Sequence, residues 1–171
     1  MTYFIRKYTM LLSALGVLAL AGPGIALDAP QGTVLLRISG EIDKANDGAV
    51  AAFDIDMLRA MEPQTIRTST IWTEGVQEFT GVPLHEFVEM LGIEEGTLRA
   101  IAVNDYAVTI PLDDAQEGHA MIAFERNGRP MPLRNKGPLW LIYPYDSDER
   151  FQSEAYYARS IWQLNRLEVV D

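Results

Sequence analysis

Short stretches in which apolar and polar residues alternate run along most of the chain, and such alternation is typical of strands. The pattern predicts about eight short strands. These strands are expected among nine segments, which cover residues 33–38, 49–53, 65–72, 76–79, 98–103, 107–110, 121–124, 139–143 and 161–169. Turn signals separate them, and one of these, Asn127-Gly128, favours a tight hairpin because both positions accept positive φ.

Helical spacing occurs in only three short segments. The clearest, residues 83–91, begins with a proline suited to a first turn and ends before Gly92. Its apolar residues fall on one face of the helix, namely Leu84, Phe87, Val88 and Leu91. The second segment follows Asp54, a candidate N-cap, and stops before Pro63, and the third covers residues 153–160. Because long helices do not separate the strands at regular intervals, we predict an α+β fold of mixed, short-stranded sheets with a few short helices.

The first 26 residues have the pattern of a secretory signal peptide. Arg6 and Lys7 precede an apolar run over residues 10–21, and Gly-Ile-Ala at residues 24–26 places small residues where a signal peptidase reads. The alternative is an uncleaved anchor, but the run is about a dozen residues and a bilayer span needs roughly 20. We therefore expect residues 1–26 to be removed. Residues 27–171 would then form one domain, periplasmic or secreted, with no membrane span.

Charge and composition narrow the range of functions. The chain of 171 residues has 14 basic and 24 acidic side chains, and loss of Arg6 and Lys7 would leave 12 basic side chains against 24 acidic ones. So acidic a surface repels nucleic acid, which is excluded as a partner. The chain has no cysteine, so disulfides, thiolate nucleophiles, iron–sulfur clusters and zinc–thiolate sites are excluded. Neither a Gly-x-Ser-x-Gly nucleophile motif nor a glycine-rich phosphate loop occurs.

The two histidines do not indicate a metal site. His85 lies beside an apolar helix face, where an exposed ion pair is expected. His119 follows a stretch that contains several carboxylates, but this stretch lacks the glycine and ligand spacing of a calcium loop. We therefore predict no metal ligands and no catalytic residues.

Several local motifs occur in a recognisable order. They are Thr-Ser-Thr-Ile-Trp-Thr at 68–73, Phe-Thr-Gly-Val-Pro-Leu at 79–84, Asn-Asp-Tyr at 104–106, Ile-Pro at 110–111, Gly-Pro-Leu-Trp at 137–140 and Tyr-Pro at 143–144. In this order and spacing they resemble the oxidoreductase molybdopterin-binding domain, which has the sulfite-oxidase-like fold. The resemblance covers roughly residues 33–170 and is closest to short, exported bacterial members of the family.

The resemblance implies two places where this chain departs from the family. The cysteine that binds molybdenum in catalytic members would fall near Ser69, and a hydroxyl is a poor substitute for a soft thiolate ligand. An arginine that commonly helps to bind anions would follow the Gly-Pro-Leu segment, where this chain has Trp140. From the resemblance we therefore expect a shared fold, but the activity of the family does not follow from it.

Seven residues are candidates for lining a cofactor or ligand cleft: Ser69, Trp72, Thr73, Asn104, Tyr106, Arg134 and Lys136. Trp72 lies beside the implied cofactor position, Asn104 and Tyr106 lie at a junction between strands, and Arg134 and Lys136 offer positive charge. We expect a non-catalytic module that binds a small ligand or a periplasmic partner protein and needs no cofactor. The alternatives are a molybdopterin-dependent oxidoreductase subunit that holds the cofactor without cysteine, and a structural subunit of a periplasmic redox or sensory complex.

Overall fold

The computed structural model describes residues 27–171, so the signal peptide predicted over residues 1–26 lies outside it. The described part contains ten strands and three α-helices. The strands are β1 (Val34–Ser39), β2 (Ala51–Asp54), β3 (Gln64–Thr68), β4 (Gln77–Pro83), β5 (Thr97–Ala102), β6 (Ala107–Pro111), β7 (Met121–Arg126), β8 (Arg129–Pro130), β9 (Trp140–Ile142) and β10 (Leu164–Val170). The helices are α1 (Ile55–Ala60), α2 (Leu84–Leu91) and α3 (Glu154–Arg159), and short 3₁₀ turns cover Leu112–Asp114, Leu133–Asn135 and Glu149–Gln152.

The strands form two five-stranded sheets. The first has the order β2-β1-β10-β5-β6, in which β1 and β10 run parallel and the other pairs are antiparallel. The second has the order β3-β4-β7-β8. The fifth strand, β9, pairs with the first half of β7, on the edge whose second half pairs with β8. Mixed sheets with few helices confirm the predicted α+β class.

One hydrophobic core joins the two sheets and the helices. Its largest buried side chains are Phe53, Phe79, Phe87, Trp140, Tyr143, Tyr145 and Phe151. The apolar face of α2 enters this core as its spacing predicts, and Gly92 ends the helix in the left-handed conformation with φ of 68°. Asp54 caps α1, since its carboxylate accepts the Met57 N–H at 2.9 Å. No helix among residues 27–171 is long and apolar enough to cross a membrane.

Three strands differ from the sequence prediction by three residues or more at one end. The strand expected over residues 65–72 ends at Thr68, because Ser69 turns away to bind Asp146. Residues 76–79 belong to a longer strand, β4, and Pro83 ends that strand and precedes α2. The last strand begins at Leu164, since Ile161 and Trp162 line a cleft and Gln163 adopts a positive φ of 54°.

Candidate functional site

A cleft of about 350 Å³ opens where the loop after β3, the β5–β6 connection and the segment after α3 meet. It is lined by Trp72, Ala102, Asn104, Tyr106, Tyr157, Ala158, Ser160, Ile161 and Trp162. None of these side chains is charged, and four of them are aromatic. A mostly apolar concavity with a few polar groups is the usual form of a small-molecule site.

Trp72 is the central aromatic ring of the cleft. Its ring centroid lies 5.7 Å from that of Trp162 and 5.8 Å from that of Tyr157, both in edge-to-face geometry. Trp140 and Tyr145 pack against it from the core at 5.9 and 6.2 Å. Because each ring meets its neighbours edge-on, the aromatic wall is fixed by several contacts that act together.

The loop that carries Trp72 is held by hydrogen bonds rather than by a strand. Ser69 donates through both its backbone N–H and its Oγ to the Asp146 carboxylate, at 2.6 Å in each case. Asp146 returns a bond from its own N–H to the Thr68 hydroxyl at 3.0 Å. The Trp72 N–H donates to the Thr70 hydroxyl, which pairs with the Thr73 hydroxyl at 2.7 Å. Ser69 and Thr73 thus position Trp72 and do not line the cleft.

The opposite wall is the segment from α3 to residue 162. Ser160 lies at its base, where its Oγ donates to the Tyr156 carbonyl at 2.7 Å and lies 2.6 Å from the Tyr145 hydroxyl. Burial raises the pKa of Tyr145 above its ordinary value, so this hydroxyl keeps its proton. The polar groups under the cleft are neutral at physiological pH.

A buried carboxylate ties this wall to the rest of the domain. Asp114 is 3% exposed and accepts hydrogen bonds from the Tyr143 hydroxyl at 2.7 Å and from the Arg159 guanidinium at 3.0 and 3.2 Å. Arg159 is the last residue of α3, so the ion pair fixes the helix that presents Tyr157 to the cleft. Burial and the neighbouring Asp114 charge raise the pKa of Tyr143, which therefore acts as a donor here.

Asn104 and Tyr106 form the rim on the side of the first sheet. The Asn104 side-chain oxygen accepts the Tyr106 N–H at 3.3 Å, which leaves the amide group of Asn104 at the cleft surface. Between them Asp105 adopts a positive φ of 65° and forms an ion pair with Arg166. Residues 104–106 thus form a tight turn, and the same turn places Asn104 and Tyr106 at the mouth of the cleft.

Lys136 contacts the aromatic cluster from outside the cleft lining. Its ammonium lies 3.7 Å from the Trp162 ring centroid and 5.2 Å from that of Trp140. The pKa of Lys136 is lowered, mainly by burial and to a smaller extent by repulsion from Arg126. Arg134 lies in an exposed 3₁₀ turn and is not part of the lining.

The structure therefore brings three of the seven sequence candidates, Trp72, Asn104 and Tyr106, into one cleft. Sequence reasoning missed the contribution of α3 and of the segment after it, namely Tyr157, Ser160, Ile161 and Trp162. The signal was present as a density of aromatic residues near the end of the chain, but aromatic residues are equally typical of a core. Among residues 27–171 no three histidine or carboxylate side chains are placed to hold a metal ion.

Comparisons with known proteins agree with this architecture. The sequence model of the oxidoreductase molybdopterin binding domain matches residues 56–169, which confirms the resemblance seen in the motifs. No curated protein matches the sequence. Among solved structures, the sulfane dehydrogenase SoxCD from Paracoccus pantotrophus is similar, with a TM-score of 0.58 and 17% identity over 80% of this chain and 38% of that chain. This likeness shows a shared fold, and the present chain spans well under half of the dehydrogenase chain.

Proposed function

The chain belongs to the oxidoreductase molybdopterin-binding domain family, and on this premise we propose that it is a non-catalytic binding module whose aromatic cleft takes a small, flat, uncharged ligand. The observation that carries the proposal is the uncharged cleft built around Trp72, Trp162 and Tyr157. A cleft lined by several aromatic rings favours ring-containing ligands.

The residues at the two family positions do not fit protein ligation of molybdenum. The Ser69 hydroxyl, which falls near the position of the ligand cysteine, donates a hydrogen bond to Asp146 and is not a soft, anionic ligand. Trp140, which occupies the place of the anion-binding arginine, is fully buried in the core. We therefore derive no reaction step through the metal, and the proposal assigns no catalytic residue.

The charge around the cleft argues for a neutral ligand rather than a cationic one. Aromatic cages bind ammonium ions through the negative faces of their rings. Here the Lys136 ammonium already occupies a face of Trp162, and a second cation in the cleft would meet its repulsion. Asn104 supplies a donor and an acceptor at the rim, which suits a heterocycle with a polar edge.

We extend the proposal to location. The pattern of residues 1–26 supports export and removal of a signal peptide, so that residues 27–171 would act in the periplasm or outside the cell. A disulfide-free domain can persist there because its core is large.

Native mass spectrometry of the protein purified from its own compartment, with metal analysis of the same sample, tests the proposal. We expect residues 27–171 plus a small organic mass and no molybdenum. The Tyr106→Ala variant removes an exposed ring from the rim and should lower the bound fraction, while Leu133→Ala, which trims an exposed side chain outside the cleft lining, should not. Near-stoichiometric molybdenum would overturn the proposal in favour of an oxidoreductase subunit. A stable protein complex without a small ligand would favour a structural subunit.

A further inference from the structure

The hairpin formed by β7 and β8 places two arginines directly opposite each other. Arg126 and Arg129 are partners in the strand register and flank the two-residue turn Asn127-Gly128. Both turn residues have positive φ, 53° and 68°, as a tight hairpin requires. Directly opposed residues of an antiparallel pair project to the same side, and like charges in that arrangement destabilise the hairpin.

These arginines line a concavity of about 450 Å³, which we call the hairpin concavity. Its lining consists of Arg126, Asn127, Arg129, Pro130, Met131, Pro132 and Asn135. The lining contains no carboxylate, although acidic residues outnumber basic ones in the chain. Glu125, the neighbouring acid in β7, is engaged with Arg59 at 3.0 Å.

Neither arginine of this cluster has a carboxylate partner, whereas half of the ten other basic residues in residues 27–171 have one. Five arginines in residues 27–171 lie within 4 Å of a carboxylate: Arg59, Arg99, Arg150, Arg159 and Arg166. Within the same residues, neither arginine of the hairpin concavity has such a partner, and neither do Arg134 and Lys136 in the segment that follows. The pKa of Lys136 is lowered by burial and, to a smaller extent, by repulsion from Arg126, as expected for positive charges that lie close together.

The backbone beside the concavity is fixed before any ligand arrives. The Pro132 carbonyl accepts the N–H groups of Asn135 and Gly137 at 2.8 and 3.1 Å, and the Leu133 carbonyl accepts the Gln163 side chain at 2.7 Å. Gly137 approaches this segment so closely that a Cβ would lie 1.7 Å from the Met131 carbonyl oxygen. A fixed site loses less conformational entropy when it binds a ligand than a flexible one does.

From this arrangement we propose that the hairpin concavity binds an oxyanion of the phosphate class, with Arg126 and Arg129 as the two ligand-binding side chains. Each guanidinium presents a planar fork of N–H donors that matches the oxygen spacing of phosphate. A bound dianion would be the negatively charged partner that neither arginine has within the described residues. This site is distinct from the aromatic cleft and does not depend on the function proposed for it, since the two share no lining residue.

Inorganic phosphate, titrated calorimetrically into the protein at fixed ionic strength in chloride, tests the proposal. We expect saturable binding of one phosphate, weakened about tenfold by Arg126→Gln and by Arg129→Gln, because each removes a charge-assisted pair. The control is Arg37→Gln, which removes the same charge from an exposed arginine of β1 that also has no carboxylate partner in the described residues and should leave the affinity unchanged. Both hairpin variants should unfold at the same temperature as the parent or slightly above it, since they relieve repulsion between like charges.

Three results would overturn the proposal. They are no saturable binding of phosphate, an equal loss of affinity in the Arg37→Gln control, and equal competition by chloride at the same ionic strength. If a glutamine variant unfolds at lower temperature, Arg126→Lys keeps the charge but loses the fork and should still weaken binding. A parallel titration with vesicles of phosphatidylglycerol in phosphatidylcholine distinguishes the source of the anion, because binding to the vesicles alone would assign a lipid surface and reject a free-phosphate site.

Discussion

The Oγ of Ser69 donates a 2.6 Å hydrogen bond to the carboxylate of Asp146, and the same carboxylate accepts the Ser69 backbone N–H. The pair ends β3 and directs the following residues, including Trp72, toward the cleft. The residue nearest the implied metal position therefore has a structural partner. The serine that stands where the family has a cysteine thus helps to shape the cleft, through its bond to Asp146.

Replacement of Asp146 by alanine should lower the free energy of unfolding by about 1 kcal/mol, because two bonds to an exposed carboxylate are lost. It should also alter tryptophan emission, since the loop before Trp72 loses its anchor. Urea denaturation followed by fluorescence measures both effects. Asp47→Ala, which removes an exposed carboxylate without a side-chain hydrogen bond in the described residues, is the control. Identical behaviour of the two variants would contradict this role of Asp146.

Replacement of Asp114 by alanine should be more damaging, at about 3 kcal/mol, because it leaves the Arg159 guanidinium and the buried Tyr143 hydroxyl without their acceptor. Tyr143→Phe keeps the ion pair and should cost about 1 kcal/mol. Chemical denaturation of the two single variants and the double variant measures the coupling. Additive losses in the double variant would show that the two contacts are independent, contrary to the geometry.

The contact between Lys136 and Trp162 should appear as a coupling of about 0.5–1 kcal/mol in a double-mutant cycle of Lys136→Gln and Trp162→Leu. The physical reason is attraction between the ammonium and the face of the indole. Lys44→Gln, combined with the same tryptophan change, controls for loss of positive charge. A coupling no larger than that of the control would mean that the contact contributes nothing.

Stability should fall in acid partly through Asp54. Hydrogen bonds from the N–H groups of Met57, Gly32 and Gln31 lower the pKa of this carboxyl below its ordinary value of 3.8. Its stabilising effect is therefore complete above pH 3.8 and disappears as the pH falls through the lower, folded-state pKa. Urea midpoints measured between pH 6 and pH 2.5 should show a steeper acid decline for the parent than for Asp54→Asn. Parallel curves would reject the assignment.

Local signals predicted much of the fold. The Asn127-Gly128 hairpin, the Asp54 cap and the α2 helix each depend on residues adjacent in sequence, and each is present. The α+β class followed from strand spacing without long intervening helices. The motifs that carried the family resemblance are local as well, and the family match confirms it.

The features that sequence reasoning missed depend on distant partners. Nothing in residues 65–72 indicates that Asp146 will turn the chain at Ser69. Likewise, the placement of the aromatic residues at 156–162 depends on how α3 is tied to Asp114, which no local pattern in the sequence indicates. The opposition of Arg126 and Arg129 was predictable once the hairpin turn was recognised, but its lack of carboxylate partners required the three-dimensional arrangement.

The position of β10 has a consequence for how the domain is made. This strand lies between β1, its parallel partner, and β5, so neither neighbour can complete its pairing until residues 164–170 are available. During synthesis on a ribosome the first sheet must therefore stay open until nearly all of the domain has emerged. Such late closure would keep the polypeptide unfolded for longer, as the export that we propose for it would require.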